Sequence, residues 1–302
     1  MKILVTGGTG FIGSALINAL TEHEVTVLSR NPAKASQTLG DRINAVASLD
    51  QFDNLDGFDA VINLAGEPII NKRWSQQQKD RICQSRWTLT QQLVDKIQAS
   101  SQPPHTFISG SAVGIYGDQK EALIDESFAI SEHVSSDDFA HRVCRRWEEI
   151  AMEADSEQTR VCLIRTGIVL GKHGGALAKM LPPYQLGLGG PIGNGKQYTP
   201  WIHLQDMVAA IVFLLETPSA SGAFNLTAPL PVTNKVFSQS LAKALHRPHI
   251  LFTPAFVLKL ALGEASSLLL EGQRAIPHKL EALGFAFRFR TIEAALTDIV
   301  AA

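Results

Sequence analysis

The sequence predicts an α/β protein: a doubly wound parallel sheet with a small, mainly helical C-terminal lobe. Three observations carry the prediction. Short apolar runs alternate with helix-length segments through the first half, as parallel strands covered on both faces require. A glycine cluster stands directly between the first apolar run and the first helical segment. After Arg165 the alternation stops, and glycine- and proline-rich sequence gives way to helical segments.

Strands are expected at Lys2–Val5, Val25–Ser29, Ile43–Val46, Ala60–Leu64, Thr106–Ser109 and Val161–Ile164. Helices are expected near Phe11–Thr21, Pro32–Leu39, Ser75–Ser100 and Asp138–Ala154. Asn31 before Pro32 is a strong helix start, an N-cap side chain followed by a residue with no amide hydrogen to satisfy. The polar stretch Glu121–Asp137 reads as a long loop and Gly171–Gly195 as largely loop and turn, a candidate lid. Beyond them come a helix near Asp206–Glu216 with Asp206 as a plausible cap, a strand at Ala223–Leu226, a helix at Asn234–Leu245 and a closing helix near Thr291–Val300. The chain thus divides into a nucleotide-binding unit at 1–170 and a cleft loop with a small lobe at 171–302.

Composition narrows the function. A formal charge of −2 leaves no basic excess for a phosphate backbone, so no nucleic acid partner is expected. The greasiest stretch, Leu251–Leu262, is interrupted by Pro254 and Lys259 and is too short to span a bilayer, so no membrane partner is expected either. Met1–Val5 runs straight into the glycine cluster with no apolar leader. Cys83, Cys144 and Cys162 lie far apart and read as free thiols in a reducing compartment, the cytoplasm by default. The histidines show no metal-ligand spacing, and no GxSxG elbow marks a serine hydrolase. The sequence does not settle the oligomeric state.

Gly7, Gly10 and Gly13 fall at GxxGxxG spacing, with Thr9, Phe11 and Ile12 between them. A tight turn whose backbone approaches a pyrophosphate needs glycine, and the following helix N-terminus supplies unsatisfied amides and a positive dipole end. The end of the second strand selects the dinucleotide. An NAD site usually carries an acid there for the ribose 2′-hydroxyl, but this strand ends Leu28-Ser29-Arg30-Asn31. A hydroxyl and a planar guanidinium suit a 2′-phosphate, so the expected cofactor is NADP(H).

Four further segments resemble the short-chain dehydrogenase/reductase superfamily in its extended, epimerase-like form. Asn63-Leu64-Ala65-Gly66 is similar to the turn that borders adenine and ribose. Ile108-Ser109-Gly110-Ser111-Ala112 is similar to the fifth-strand segment whose last serine assists catalysis. Arg165–Gly171, with Val169, is similar to the strand whose backbone lies beside the nicotinamide. Trp201-Ile202-His203-Leu204-Gln205-Asp206 is similar to a segment whose His and Asp look structural. Asn63–Glu67, Pro200–His203 and Leu186–Gly193 resemble most closely an atypical subgroup labelled "epimerase family", and Leu270–Gln273 and Leu283–Phe285 extend that likeness into a helix-rich domain of unknown function at about 248–297. The resemblance implies a Rossmann-type fold and a cofactor held by Gly7, Thr9, Gly10, Phe11, Ile12, Gly13, Ser29, Arg30, Leu64, Ala65, Gly66, Glu67 and Val169.

One departure bears on chemistry. The superfamily's YxxxK pair relays a proton and holds the ribose. Here the corresponding helix offers Phe139/Val143 or Ala140/Cys144, with no tyrosine or lysine in either register. Three side chains remain as catalytic candidates, each with a second reading. Ser111 binds a substrate oxygen or ties down a strand end. Tyr116 faces the cleft or forms an aromatic wall. His141 titrates near neutrality or sits on a surface. Arg86, with Ser85, holds cofactor phosphate or ribose or belongs to a solvated face. The expected function is NADP(H)-dependent hydride transfer on an unidentified small molecule. The alternatives are a non-catalytic NADP(H)-binding regulator and, against the missing tyrosine, a sugar-nucleotide epimerase.

Overall fold

A computed structural model describes residues 1–130, 134–135 and 137–301. The expected loop Glu121–Asp137 lies partly outside these residues. The elements run β1 (Lys2–Thr6), α1 (Phe11–Ala19), β2 (Glu24–Leu28), α2 (Pro32–Leu39), β3 (Ile43–Val46), β4 (Ala60–Asn63), α3 (Gln76–Gln98) and β5 (Thr106–Ala112). They continue through β6 (Leu123–Ile124), α4 (Phe139–Met152), β7 (Arg160–Thr166), β8 (Ile168–Gly171), α5 (Gly175–Gln185), β9 (Tyr198–Thr199) and β10 (Trp201–His203). The rest are α6 (Leu204–Glu216), β11 (Gly222–Leu226), β12 (Val232–Thr233), α7 (Asn234–Ala244), α8 (Ala255–Leu262), β13 (Arg274–Ala275), three helical turns (Gly263–Ser266, Ser267–Leu270 and His278–Ala282) and the closing helix Ile292–Ala301.

Seven parallel strands form the main sheet in the order β11-β7-β5-β4-β1-β2-β3. The strand order reverses between β1 and β4, so the loops leaving these strands splay apart and open a crevice at their carboxyl ends. Strands buried on both faces cannot alternate apolar with polar, and Ile3, Leu4 and Val5 in β1 are all fully buried. Ile3 and Val5 pack with α1 and α6 residues such as Leu16, Met207 and Ile211. Leu4 faces the other layer, where Leu93, Val94 and Ile150 of α3 and α4 cover it. Burial of each such side chain contributes about 1.5–3 kcal/mol. A third core, in the C-terminal lobe, joins Trp201, Phe237, Leu296 and Ile299. The strand β11 lies beyond residue 170 in sequence yet pairs with β7, so the main sheet draws on the second half of the chain.

Helix starts follow local chemistry. Asn31 Oδ1 accepts from the Lys34 amide at 3.0 Å, Ser75 Oγ from Gln78 at 3.3 Å and Asp138 Oδ1 from His141 at 3.0 Å. Two expectations need correction. Gly171–Gly195 is not all loop, because α5 occupies Gly175–Gln185 with Pro182 and Pro183 inside it. Leu177 is fully buried, and Tyr184 is buried with its hydroxyl on the Gly190 carbonyl at 3.1 Å, so tertiary anchoring overrides the two prolines. Asp206 is not an N-cap. His203 caps α6, its Nδ1 accepting from the Gln205 amide at 3.0 Å, while the Asp206 carboxylate accepts from the Arg288 and Phe289 amides at 2.9 Å each.

His203 is buried and stacks on Phe289 with ring centroids 3.9 Å apart. Burial pushes its pKa below the ordinary 6.5, against the raising pull of Asp298. A neutral Nδ1 is also what the cap needs. In acid the unfolded chain therefore binds a proton that the folded chain resists, and stability falls as pH drops below about 6.5. His203→Gln is expected to flatten that part of a stability-against-pH curve measured by urea unfolding. An unchanged acid slope would assign it to other groups.

Among the described residues, no helix is long and apolar enough to cross a membrane, and no three His, Cys, Asp or Glu side chains group to hold a metal.

Candidate cofactor cleft

The crevice at the carboxyl ends of β1, β2 and β4 encloses a cleft of about 990 Å³. Its floor is the β1–α1 turn. Gly7 has a positive φ of 70°, and a side chain there would run into the Leu64 and Ala65 backbone at 2.7–2.8 Å. Gly13 sits so close that a Cβ would meet the Gly7 carbonyl at 2.3 Å, so α1 packs directly on its own turn. No side chain caps α1, and its first turn holds no acid. The amides of Phe11, Ile12 and Gly13 thus have no partner within the helix, which is the donor set an anionic pyrophosphate fits. Thr9 and Gly10 line the same space.

Ser29, Arg30 and Asn31 at the end of β2, and Lys34 in the first turn of α2, form the far wall. The Ser29 hydroxyl donates to the Asn31 carbonyl at 3.2 Å and fixes the turn. Among the described residues, neither Arg30 nor Lys34 makes an ion pair, and the only carboxylate lining the cleft is Glu67 at its other end. This wall is therefore cationic and, among the described residues lining it, carries no carboxylate to accept from a free ribose 2′-hydroxyl. Lys34 was not among the residues expected from the sequence. Its signal is position: it is the residue whose amide the Asn31 cap receives, which puts it beside Arg30.

The turn after β4 closes the cleft from above. The Leu64 amide donates to the Thr6 carbonyl at 3.2 Å and the Ala65 amide to Thr6 Oγ1 at 3.2 Å. Ser85 Oγ accepts from the Glu67 amide at 2.9 Å. Arg86 is half-buried, with its guanidinium turned into the molecule. Its guanidinium lies under Gly66, where a Cβ would approach to 2.8 Å, donates to the Glu67 and Ile82 carbonyls at 3.1 Å each, and covers the Trp147 ring. Burial lowers its pKa. Ser85 and Arg86 thus hold the backbone of the turn. Val169, in β8, is buried with its strand paired to β10.

The Phe11 side chain has a separate task. A Cβ on Gly171, Gly174 or Gly175 would meet its ring at 2.2–3.0 Å. These three glycines let the β8–α5 connection fold flat onto Phe11, which accounts for part of the glycine density there.

The three catalytic candidates all lie in the interior. Ser111 Oγ donates to Glu148 Oε1 at 2.6 Å. Glu148 in turn takes a bidentate pair from Arg165, with Nε at 2.9 Å and Nη2 at 2.8 Å. Arg165 Nη1 donates to the Tyr116 hydroxyl at 2.8 Å, and that hydroxyl donates to Asn225 Oδ1 at 2.8 Å. Burial raises the Tyr116 pKa to about 12, although Arg165 pulls it down. For Arg165 burial works against the charge, and the Glu148 pair outweighs it and raises the pKa. His141 Nδ1 bonds to the Ile115 carbonyl at 2.6 Å and is 2% exposed.

Neither register of the superfamily's proton relay presents a tyrosine or a lysine. Phe139 and Val143 are buried with Trp74, Ile82 and Ala265. Cys144 is buried beside Tyr116, and burial lifts its thiol to about 12. Gly110 makes room for Trp147, whose ring a Cβ there would strike at 2.7 Å. Tyr116→Phe is expected to cost about 1.5–3 kcal/mol of stability, read by thermal unfolding, and to leave nicotinamide-cofactor affinity unchanged. Unchanged stability would remove the hydroxyl from the buried network.

The family model described as "NAD dependent epimerase/dehydratase family" matches residues 3–227, and one described as a domain of unknown function (DUF1731) matches 253–299. An epimerase family protein of Staphylococcus aureus is 35% identical over 99% of each chain. The chloroplastic SDR39U1 homolog of Arabidopsis thaliana is 40% identical over 99% of this chain and 87% of its own. The crystal structure of human epimerase family protein SDR39U1 (isoform 2) with NADPH superposes with a TM-score of 0.90 at 36% identity, covering 100% of this chain and 99% of that one. With its Rossmann-type sheet, its glycine turn and matches that run the length of the chain, this protein belongs to the NAD dependent epimerase/dehydratase family, in the subgroup of epimerase family proteins akin to SDR39U1.

Proposed function

We propose that the protein is an NADP(H)-dependent oxidoreductase that moves hydride to or from a small molecule. One observation carries the reading: the uncapped N-terminus of α1 shares its cleft with Arg30 and Lys34, and no carboxylate stands at the end of β2. The NADPH bound by human SDR39U1 supports the same cofactor here. The amides of Phe11, Ile12 and Gly13 take the pyrophosphate, and Arg30, Lys34 and Ser29 take the 2′-phosphate. The Leu64–Glu67 turn would border the adenosine ribose, and the β8 backbone at Val169 would face the nicotinamide end. When bound, the cofactor supplies the hydride. With phenylalanine and valine at the relay positions and Ser111, Tyr116 and His141 bonded internally, the proton comes from water in the cleft.

The test is NADPH oxidation against a panel of carbonyl compounds. Slow, substrate-dependent consumption is expected. Interconversion of UDP-glucose and UDP-galactose is expected to stay at background, because losing a general acid–base costs on the order of 10²- to 10⁴-fold. The internal bonding of all three candidate proton donors favours a second reading, a non-catalytic NADP(H)-binding regulator. Tight NADPH binding with no consumption across the panel selects that reading over hydride transfer.

A further inference from the structure

The C-terminal lobe keeps an apolar face that folding leaves uncovered. No residue of α8, sequence AFVLKLAL, is buried. Phe256 and Leu260, one turn apart and hence on one side of the helix, are 71% and 76% exposed. Ile250 and Phe252 extend the face along the segment before α8, at 81% and 64%. Leu186 and Leu188 are likewise exposed and come from the loop after α5. That loop runs against the same segment: Gly190 abuts the Leu251 backbone, Gly187 faces Pro248, and the Thr253 amide donates to the Pro191 carbonyl at 2.9 Å. A contiguous patch of this kind marks an interaction surface, whereas scattered exposed leucines do not.

Charge identifies what covers it. The two segments that build this face, 171–200 and 234–263, carry seven lysines and arginines and no aspartate or glutamate, in a chain of net charge −2. Lys259 lies on α8 between Phe256 and Leu260, and Arg247 lies three residues before Ile250. Exposed Lys72 and Arg73 continue the cationic rim, with Arg73 beside Gly263 at the end of α8. Two acids border this edge: Glu264, paired with Lys79 at 2.6 Å, and Glu271, which lies within reach of the Lys259 charge. Arg247, Lys72 and Arg73 remain as cations without an acid in an ion pair among the described residues. Apolar side chains with Arg247, Lys259 and Arg73 at their margin match a surface that is oily within and anionic at its edge.

We propose that α8 and its flanking loop dock this protein onto an anionic lipid bilayer. Phe256 and Leu260 enter the boundary between headgroups and acyl chains, and Lys259 and Arg247 meet the phosphates. A second copy fits less well, because a two-fold contact through this face sets the same cations against themselves. The sequence shows no span and led to an expectation of no membrane partner, but a peripheral helix needs no span. The inference is independent of the hydride reading.

Flotation of the full chain with vesicles tests it. Binding is expected to phosphatidylcholine vesicles containing phosphatidylglycerol, and not to phosphatidylcholine alone, and raised salt weakens it. Phe256→Ser with Leu260→Ser lowers partitioning at least about tenfold, since both side chains lose their apolar contact with lipid. Lys259→Glu lowers it separately. Both changes are at exposed positions, and unchanged thermal unfolding confirms that the variants are folded. A wild type that fails to float with anionic vesicles, or variants that float as well as wild type, overturns the proposal. Sedimentation that shows a dimer abolished by the double variant, without vesicle binding, assigns the face to self-association instead.

Discussion

Changing Arg30 and Lys34 together to alanine is expected to collapse a preference of roughly 10- to 100-fold for NADPH over NADH, with NADH affinity nearly unchanged. On the proposed reading the glycine turn and the α1 amides take the pyrophosphate that both cofactors share, so they would not discriminate. Only the adenosine ribose differs, and the cationic wall at the end of β2 is where the cleft differs from one built for a free hydroxyl. A single charge-assisted hydrogen bond contributes about 1.5–3 kcal/mol, which covers the range. Arg30→Ala alone removes most of the effect, because the guanidinium fork matches phosphate oxygens better than an ammonium. Fluorescence titration of both cofactors against each variant checks this. A ratio that the substitutions leave unaltered would show both cations to be ordinary surface charges.

The second large effect is on stability. Glu148 and Arg165 are about 10% and 8% exposed and joined by two hydrogen bonds. Glu148→Ala leaves a buried guanidinium without its anion and also strands the Ser111 hydroxyl. Breaking a buried pair in this way costs about 3–5 kcal/mol, a fall in melting temperature on the order of 10 °C. Replacing both partners with apolar residues of similar size is expected to recover much of the loss. Denaturant unfolding of the single and double variants distinguishes these outcomes, and a single-variant loss under about 1 kcal/mol contradicts the account. The network ties β5, α4 and β7 to one another through buried side chains.

Much of this was legible in the sequence, and the reasons differ by element. Strands buried on both faces declare themselves as apolar runs, and β3 and α2 begin and end where local pattern places them, α2 because Asn31 and Pro32 define its start. The glycine turn is legible because backbone geometry leaves no substitute for glycine at Gly7 and Gly13. Tertiary contacts are what single-sequence reading cannot see. The helix α5 runs through two prolines because Leu177 and Tyr184 are anchored in the lobe's core. Asp206 looks like a cap and instead binds amides 82 and 83 residues away. The partners of Ser111, Tyr116 and His141 come from other elements, and no spacing rule connects Glu148 to Arg165. The likeness to epimerases suggested where catalytic groups belong, but only packing shows them turned inward.

The central claim is that the end of β2 recognises a 2′-phosphate, and adenosine fragments isolate that contact from everything at the nicotinamide end. Calorimetric titration of the wild-type protein with adenosine 2′,5′-bisphosphate and with 5′-AMP compares two ligands that differ only in the phosphate at issue. The bisphosphate is expected to bind at least about tenfold more tightly, with the difference shrinking as salt is raised. Equal affinities for the two fragments would contradict the assignment of Arg30 and Lys34, and with it the reading of this cleft as an NADP(H) site.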